Sequence, residues 1–162
     1  AVDISGNLRL SGAFMPNNLA GTAGQVLTSA GAGTVPTWTS PSGTSVSAQD
    51  TSTTAIDTTD TVILTAPSIA LTGQPVKIFA TMRLQNTSGG SRDVIFKLFR
   101  DGVEVSATDR YNERILTTND DVTKTFHFYD TPGTGSFVYT IVAIGDAAGV
   151  ERITNSRLTV TD

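Results

Sequence analysis

The chain has 162 residues, a formal net charge of −4, 38% hydrophobic and 16% charged residues, and no cysteine. That length fits one compact domain plus an additional segment. The missing cysteines exclude disulfides and Cys-type zinc sites, and the acidic balance without any basic run excludes electrostatic capture of nucleic acid or anionic lipid. No apolar run approaches the ~20 residues of a membrane span, so membrane insertion is not expected. The chain opens Ala1-Val2-Asp3 with neither Met nor a secretory leader pattern, and the expectation is a segment of a longer protein.

Residues 1–43 are punctuated by Gly6, Gly12, Gly21, Gly24, Gly31, Gly33 and Gly43 and by Pro16, Pro36 and Pro41. Between them sit short apolar pieces: Ile4, Leu8 and Leu10, Phe14 and Met15, Val26 and Leu27, Val35 and Trp38. None repeats with helical period, and each suits a strand of a few residues. So few large side chains cannot offset the cost of ordering, ~1–2 kcal/mol per residue for the backbone. The segment is therefore either a linker or an element that shares a core with neighbouring chains. The recurring apolar residues favour sharing, because a pure linker lacks them. Trp38 is expected to be buried between chains or against the domain that follows.

Residues 44–60 are rich in Thr and Ser and read as a connector or a first edge strand. From residue 61 strand follows strand. Thr61 to Ala66 is a β run ended by Pro67. Val76, Ile78, Ala80, Met82 and Leu84 alternate with mostly polar neighbours, the period of a half-buried strand, with Phe79 the exception that points to a second layer. Val94, Phe96 and Leu98 lead to Arg100-Asp101-Gly102, and Asp-Gly between two alternating runs predicts a type I′ hairpin. Residues 106–114 read as a polar loop, and Ile115 and Leu116 mark a further strand. Val122, Phe126 and Phe128 alternate with polar residues. Residues 130–135 read as a tight turn, and the run through Phe137, Tyr139, Ile141 and Ala143 is apolar on both faces and so central. Residues 150–161 supply one or two closing strands. About eight short strands and no helix predict an all-β fold, with an antiparallel β-sandwich (jelly-roll-like) over 44–162. Strand count and spacing fit jelly-roll and immunoglobulin-like order equally.

Chemistry-bearing residues are sparse. His127 is the only histidine and lies mid-strand between Phe126 and Phe128, with no nucleophile elbow to serve. The carboxylate pairs Asp57/Asp60, Asp101/Glu104 and Asp120/Asp121 fall in turns, where Asp is usually a turn former rather than a glycosidase acid. Asn119, Asp120 and Asp121 lack the spacing of a calcium loop. The Gly-rich stretch 21–33 has no Gly-Lys-Ser/Thr and is not a phosphate loop. Asn86-Thr87-Ser88 is a glycosylation sequon of the kind that arises by chance. No catalytic residue, metal site or cofactor is expected, and the chain reads as non-enzymatic. Asp109, Arg110, Tyr111 and Asn112 combine a ring, a guanidinium and amide groups, and are the candidate recognition loop. The other reading is that they decorate a turn.

Two segments carry a resemblance. Residues 21–38, GTAGQVLTSAGAGTVPTW, with Gly24-Gln25-Val26-Leu27, Gly31, Gly33, Pro36 and Trp38, resemble an element of bacteriophage tail-fibre and head-fibre proteins, and ISGNLRLSGAF at 4–14 resembles the short repeats preceding it. YDTPGTGSFVYTI at 129–141 resembles a hairpin of fibre-tip sandwich domains. The resemblance implies a homotrimer on the virion surface, a short trimeric, prism-like β-shaft over 1–43, and a head over 44–162. That head would attach to a bacterial surface glycan or protein and contact other virion proteins. The alternatives are a head fibre or capsid decoration protein without a receptor role, a carbohydrate-binding module, and a depolymerase fragment.

Overall fold

The computed structural model describes residues 5, 11–39, 43–105, 110–115 and 121–162. It divides into two compact units, residues 1–42 and 43–162.

In the first unit a 3-10 turn at Pro16–Asn18 precedes an antiparallel pair, β1 (Val26–Thr28) and β2 (Thr37–Thr39), with Leu27 opposite Trp38. Gly24, Gly31 and Gly33 take positive φ of 87°, 103° and 77° in the bends around this pair, conformations that side chains resist. The Trp38 ring lies over Gly21, where an added Cβ would come within 2.6 Å of ring carbon Cδ2. None of the described residues 11–39 is buried.

The second unit contains β3 (Ser45–Asp50), β4 (Thr54–Ala55), β5 (Thr61–Thr65), β6 (Ile69–Thr72), β7 (Val76–Asn86), β8 (Arg92–Arg100), β9 (Val103–Glu104), β10 (Tyr111–Ile115), β11 (Asp121–Asp130), β12 (Thr134–Phe137), β13 (Tyr139–Gly145) and β14 (Glu151–Thr161). All pairings are antiparallel. One sheet runs β11-β7-β14-β3 with β4 on β14; the other runs β10-β8-β13-β5 with β9 on β8. A short β12-β6 pair stands apart. Set the short β4, β6, β9 and β12 aside and number the other strands in chain order. The sheets then read 1-8-3-6 and 2-7-4-5. This is jelly-roll order, two Greek keys wound together, and it decides between the two orders that strand spacing left open.

One core lies between the sheets. Ile78, Ala80, Met82 and Leu84 of β7 turn inward at every second position, into the core that also holds Phe96 and Ile141 of the opposite sheet. Phe96 meets Phe126 of β11 across the layers, ring centroids 4.5 Å apart. Fully burying such a ring stabilises by roughly 1.5–3 kcal/mol. The Asp101-Gly102 turn has φ of 49° and 81°, both positive as a type I′ hairpin requires.

Four local expectations are revised. Phe79 does not face a second layer; it stands 38% exposed on the outer face of β7, edge-on to His127 at 4.8 Å. The polar loop expected through residue 114 gives way to β10 from Tyr111, because Tyr111 and Ile115 pack inward. The turn expected over 130–135 ends early, because Thr134–Phe137 pairs with β6. The run through Phe137 and Tyr139 is two strands divided at Val138, whose amide donates to the Asp101 carboxylate at 2.9 Å.

Candidate functional site

The expected recognition loop separates into distinct roles. Asp109 lies outside the described residues. Arg110 makes a two-pronged bridge to Glu104, Nε to Oε1 at 2.7 Å and Nη2 to Oε2 at 2.9 Å. That bond, with the Arg110 charge, holds the Glu104 carboxyl below its ordinary pKa. The Tyr111 ring packs on Phe126 and Phe128 at 5.1 and 5.0 Å, and its hydroxyl donates to the His127 carbonyl. Asn112 is exposed opposite Ile95. Among the described residues of this loop, Tyr111 is thus turned to the core, Arg110 is tied back to Glu104 and Asn112 faces solvent.

Of the other flagged residues, Asn119 and Asp120 lie outside the described residues. Asp121 receives the Arg83 guanidinium, which lowers its pKa, and accepts from Gln85 Nε2 at 3.3 Å. Asp60 accepts from Lys97 Nζ at 2.7 Å. Asp57 caps the amide of Thr58 at 2.7 Å. The described acids of these pairs are therefore spent on turns and ion pairs.

Two surfaces emerge that individual residues did not announce. The outer face of the β11-β7-β14-β3 sheet carries His127, Phe79 and Thr159 side by side in one cross-strand row, with Tyr129, 62% exposed, in the next. Hydroxyls surround them, Thr81 and Thr125 bonding at 3.0 Å. The other surface is the first unit itself. Phe14, Met15, Leu19, Val26, Leu27 and Val35 are 42% to 65% exposed. Residues 11–39 include no Asp, Glu, Lys, Arg or His. Pro16, Leu19, Gln25, Pro36 and Trp38 line a cavity of about 250 Å³, and the Trp38 indole N–H has no acceptor among the described residues.

No family model matches the chain, and no curated protein matches it. Solved structures share its fold. T=1 particles derived from infectious bursal virus are similar at 13% identity and a TM-score of 0.51, over 82% of this chain and 35% of that one. The infectious bursal disease virus VP2 subviral particle is similar at 14% identity and a TM-score of 0.45, over 82% and 36%. The chain spans about a third of the length of these capsid proteins. It has the all-β, antiparallel sandwich fold, as the T=1 particle chain does.

The resemblance to bacteriophage fibre proteins is overturned by this finding, since the matching fold is that of infectious bursal virus derived T=1 particles. The reason is local. Gly24, Gly31, Gly33 and Gly133 all take positive φ, so the quoted motifs encode tight turns, which any β protein with those bends would need. The bacterial host expected as a partner rested on the same resemblance and loses that ground.

Proposed function

We propose that the chain is a non-enzymatic structural component of a virion, built from a jelly-roll module and an N-terminal unit that self-associates. One observation carries the assembly role: residues 11–39 expose six large apolar side chains, bury none and have no charge. A surface of that kind attracts no charged partner, and contiguous exposed apolar patches mark interaction sites. The matching surface on this molecule is the same segment of another copy. A two-stranded pair alone is marginal in water, and the unpaired edges of β1 and β2 are templates for a neighbouring strand. The orphaned Trp38 N–H supports an acceptor from that neighbour. The test is Leu27→Asp in the full chain, followed by sedimentation. Dissociation to monomers is expected; an unchanged assembly would remove the segment from the interface.

A second reading, attachment to a surface glycan, is favoured by the exposed Phe79, His127 and Tyr129 among Thr hydroxyls. Aromatic rings with neighbouring hydroxyls suit sugar faces and edges. Titration of residues 43–162 with a panel of neutral oligosaccharides tests it. Binding lost in Tyr129→Ala supports the reading, and no shift of any of these resonances sinks it.

A further inference from the structure

At one end of the sandwich the turn from β13 to β14 brings two acids together. Glu151 is fully buried, and neither of its carboxyl oxygens finds a hydrogen-bond partner of good geometry among the described residues. Its Oε2 lies against the β13 backbone, 2.8 Å from where a Cβ on Gly145 would stand. Beside it is the carboxyl of Asp146, the acid that acts on it most strongly.

The surroundings offer Glu151 little else. Asn86, its cross-strand neighbour on β7, is already committed: its Nδ2 donates to the Gly90 carbonyl at 2.6 Å, and its Oδ1 accepts from the amide and hydroxyl of Ser88, each at 2.8 Å. The segment after β4 contributes Ile56 and two backbone bonds. The Ile56 amide donates to the Glu151 carbonyl at 2.9 Å, and the Gly145 amide donates to the Asp57 carbonyl at 2.8 Å. From β8, the Asp93 amide donates to Asp146 Oδ2 at 3.1 Å, and Arg92 Nη1 stands 3.8 Å from Asp146 Oδ1. Arg92 also donates to Ser88 Oγ at 2.9 Å, and the Asp93 carboxylate faces Arg114 at 3.0 Å. The charges acting on Glu151 are thus Asp146 and Arg92. The Asp93 and Arg92 donors serve Asp146, and the Glu151 amide and the Arg92 charge favour an ionised Glu151 less than burial and Asp146 oppose it. An ionised Glu151 would be unsolvated and beside a second anion, the least favourable arrangement for a carboxylate.

We propose that Glu151 and Asp146 share one proton and form a pH-dependent clasp on the β13–β14 turn, closed in acid and released when the proton leaves. Burial first, and the neighbouring Asp146 second, push Glu151 up to about 7. Burial works against ionised Asp146, but the Glu151 hydrogen bond, the Asp93 amide and Arg92 outweigh it and hold Asp146 below its ordinary value. The folded chain therefore keeps a proton that the unfolded chain gives up. This contribution to stability is complete below the ordinary Glu range and is lost as pH rises through about 7. The opening is local: the Gly149 amide, bonded to the Ile56 carbonyl at 2.9 Å, and the Thr87 amide, bonded to the Val150 carbonyl at 2.9 Å, close the same end of the sandwich.

The experiment is a carboxyl carbon NMR titration of the full chain with Glu151 assigned through Glu151→Gln, together with amide hydrogen exchange. A Glu151 midpoint near 7 is expected. Exchange at Gly145, Gly149 and Thr87 should rise about tenfold more than at core amides across that midpoint, after correction for base catalysis, and Glu151→Gln should abolish the excess. A midpoint in the ordinary Glu range, or the same excess in Glu151→Gln, would overturn the proposal. If that variant does not fold, Asp146→Asn serves: it removes the neighbouring anion, so the Glu151 midpoint must fall, and an unchanged midpoint would break the pair.

Discussion

The Tyr139 hydroxyl donates to Asp130 Oδ2 at 2.8 Å, and Arg100 Nη1 reaches the same oxygen at 2.6 Å. Three strands meet in this contact, since Asp130 ends β11, Arg100 ends β8 and Tyr139 opens β13. Both sheets are therefore tied at one corner of the sandwich. Asp130 and Tyr139 are buried, and burial followed by the Asp130 charge pushes the Tyr139 hydroxyl well above its ordinary pKa.

Removing the acceptor should leave a buried hydroxyl and a guanidinium without their partner. Asp130→Ala is expected to cost about 2–3 kcal/mol, and Tyr139→Phe about 1 kcal/mol. Because the groups share one oxygen, the double variant should cost less than the sum. Urea denaturation of the four proteins measures this, and strict additivity would mean that the contact is not formed.

The Asp101-Gly102 hairpin makes a separate demand on the backbone. Gly102 has φ of 81°, so Gly102→Ala is expected to destabilise by about 1–2 kcal/mol through strain alone, although an added Cβ would meet nothing within 4 Å. Thermal unfolding checks it. A neutral result would show that the turn relaxes to another type.

The core should respond by volume. Phe96→Ala empties the contact with Phe126 and is expected to cost about 3–5 kcal/mol, whereas Phe79→Ala, on the outer face, should stay within about 0.5 kcal/mol. Comparing both in the same denaturant series tests which face of each sheet is the interior.

Stability should depend on pH with opposite signs at the two ends of the range. Glu104 and Asp121 are held below ordinary carboxylate values by their arginines, so their contribution is present above about pH 4 and is lost as pH falls further. Glu151 acts in the other sense, and its contribution fades as pH rises through about 7. Melting temperature should therefore peak in mildly acid solution and decline toward pH 8. A maximum at pH 8 would contradict the sign assigned to Glu151.

Much of the sandwich is legible in the chain because one face of each strand is wet. The alternation from Val76 to Gln85 reports β7 directly, and the apolar run from Ile141 to Ile144 places β13 in the middle of its sheet. Strand order is not encoded locally, since which strands pair depends on how the Greek keys close. The surroundings of the candidate recognition residues were not legible for a related reason. Tyr111 looks like a polar loop ring until β10 pairs with β8 and turns it onto Phe126. Glu151 did leave a signal: the period that points Ile153 inward also points Glu151 inward. A bulge between Thr154 and Arg157, with Asn155 at φ of 49°, then resets the alternation so that Leu158 and Val160 are inward as well. Read as one uninterrupted period of two, the strand hides its buried acid. The first unit was legible in its deficit, too few large side chains for a core.

The measurement that bears most directly on the structural role is the solution mass by light scattering, for the full chain and for residues 43–162, which hold the whole buried core. The account expects a multiple of 16.9 kDa for the full chain and a monomer for the shorter chain. A full chain that remains at 16.9 kDa across the concentration range would contradict the claim that the uncharged, coreless segment is completed by its own copies.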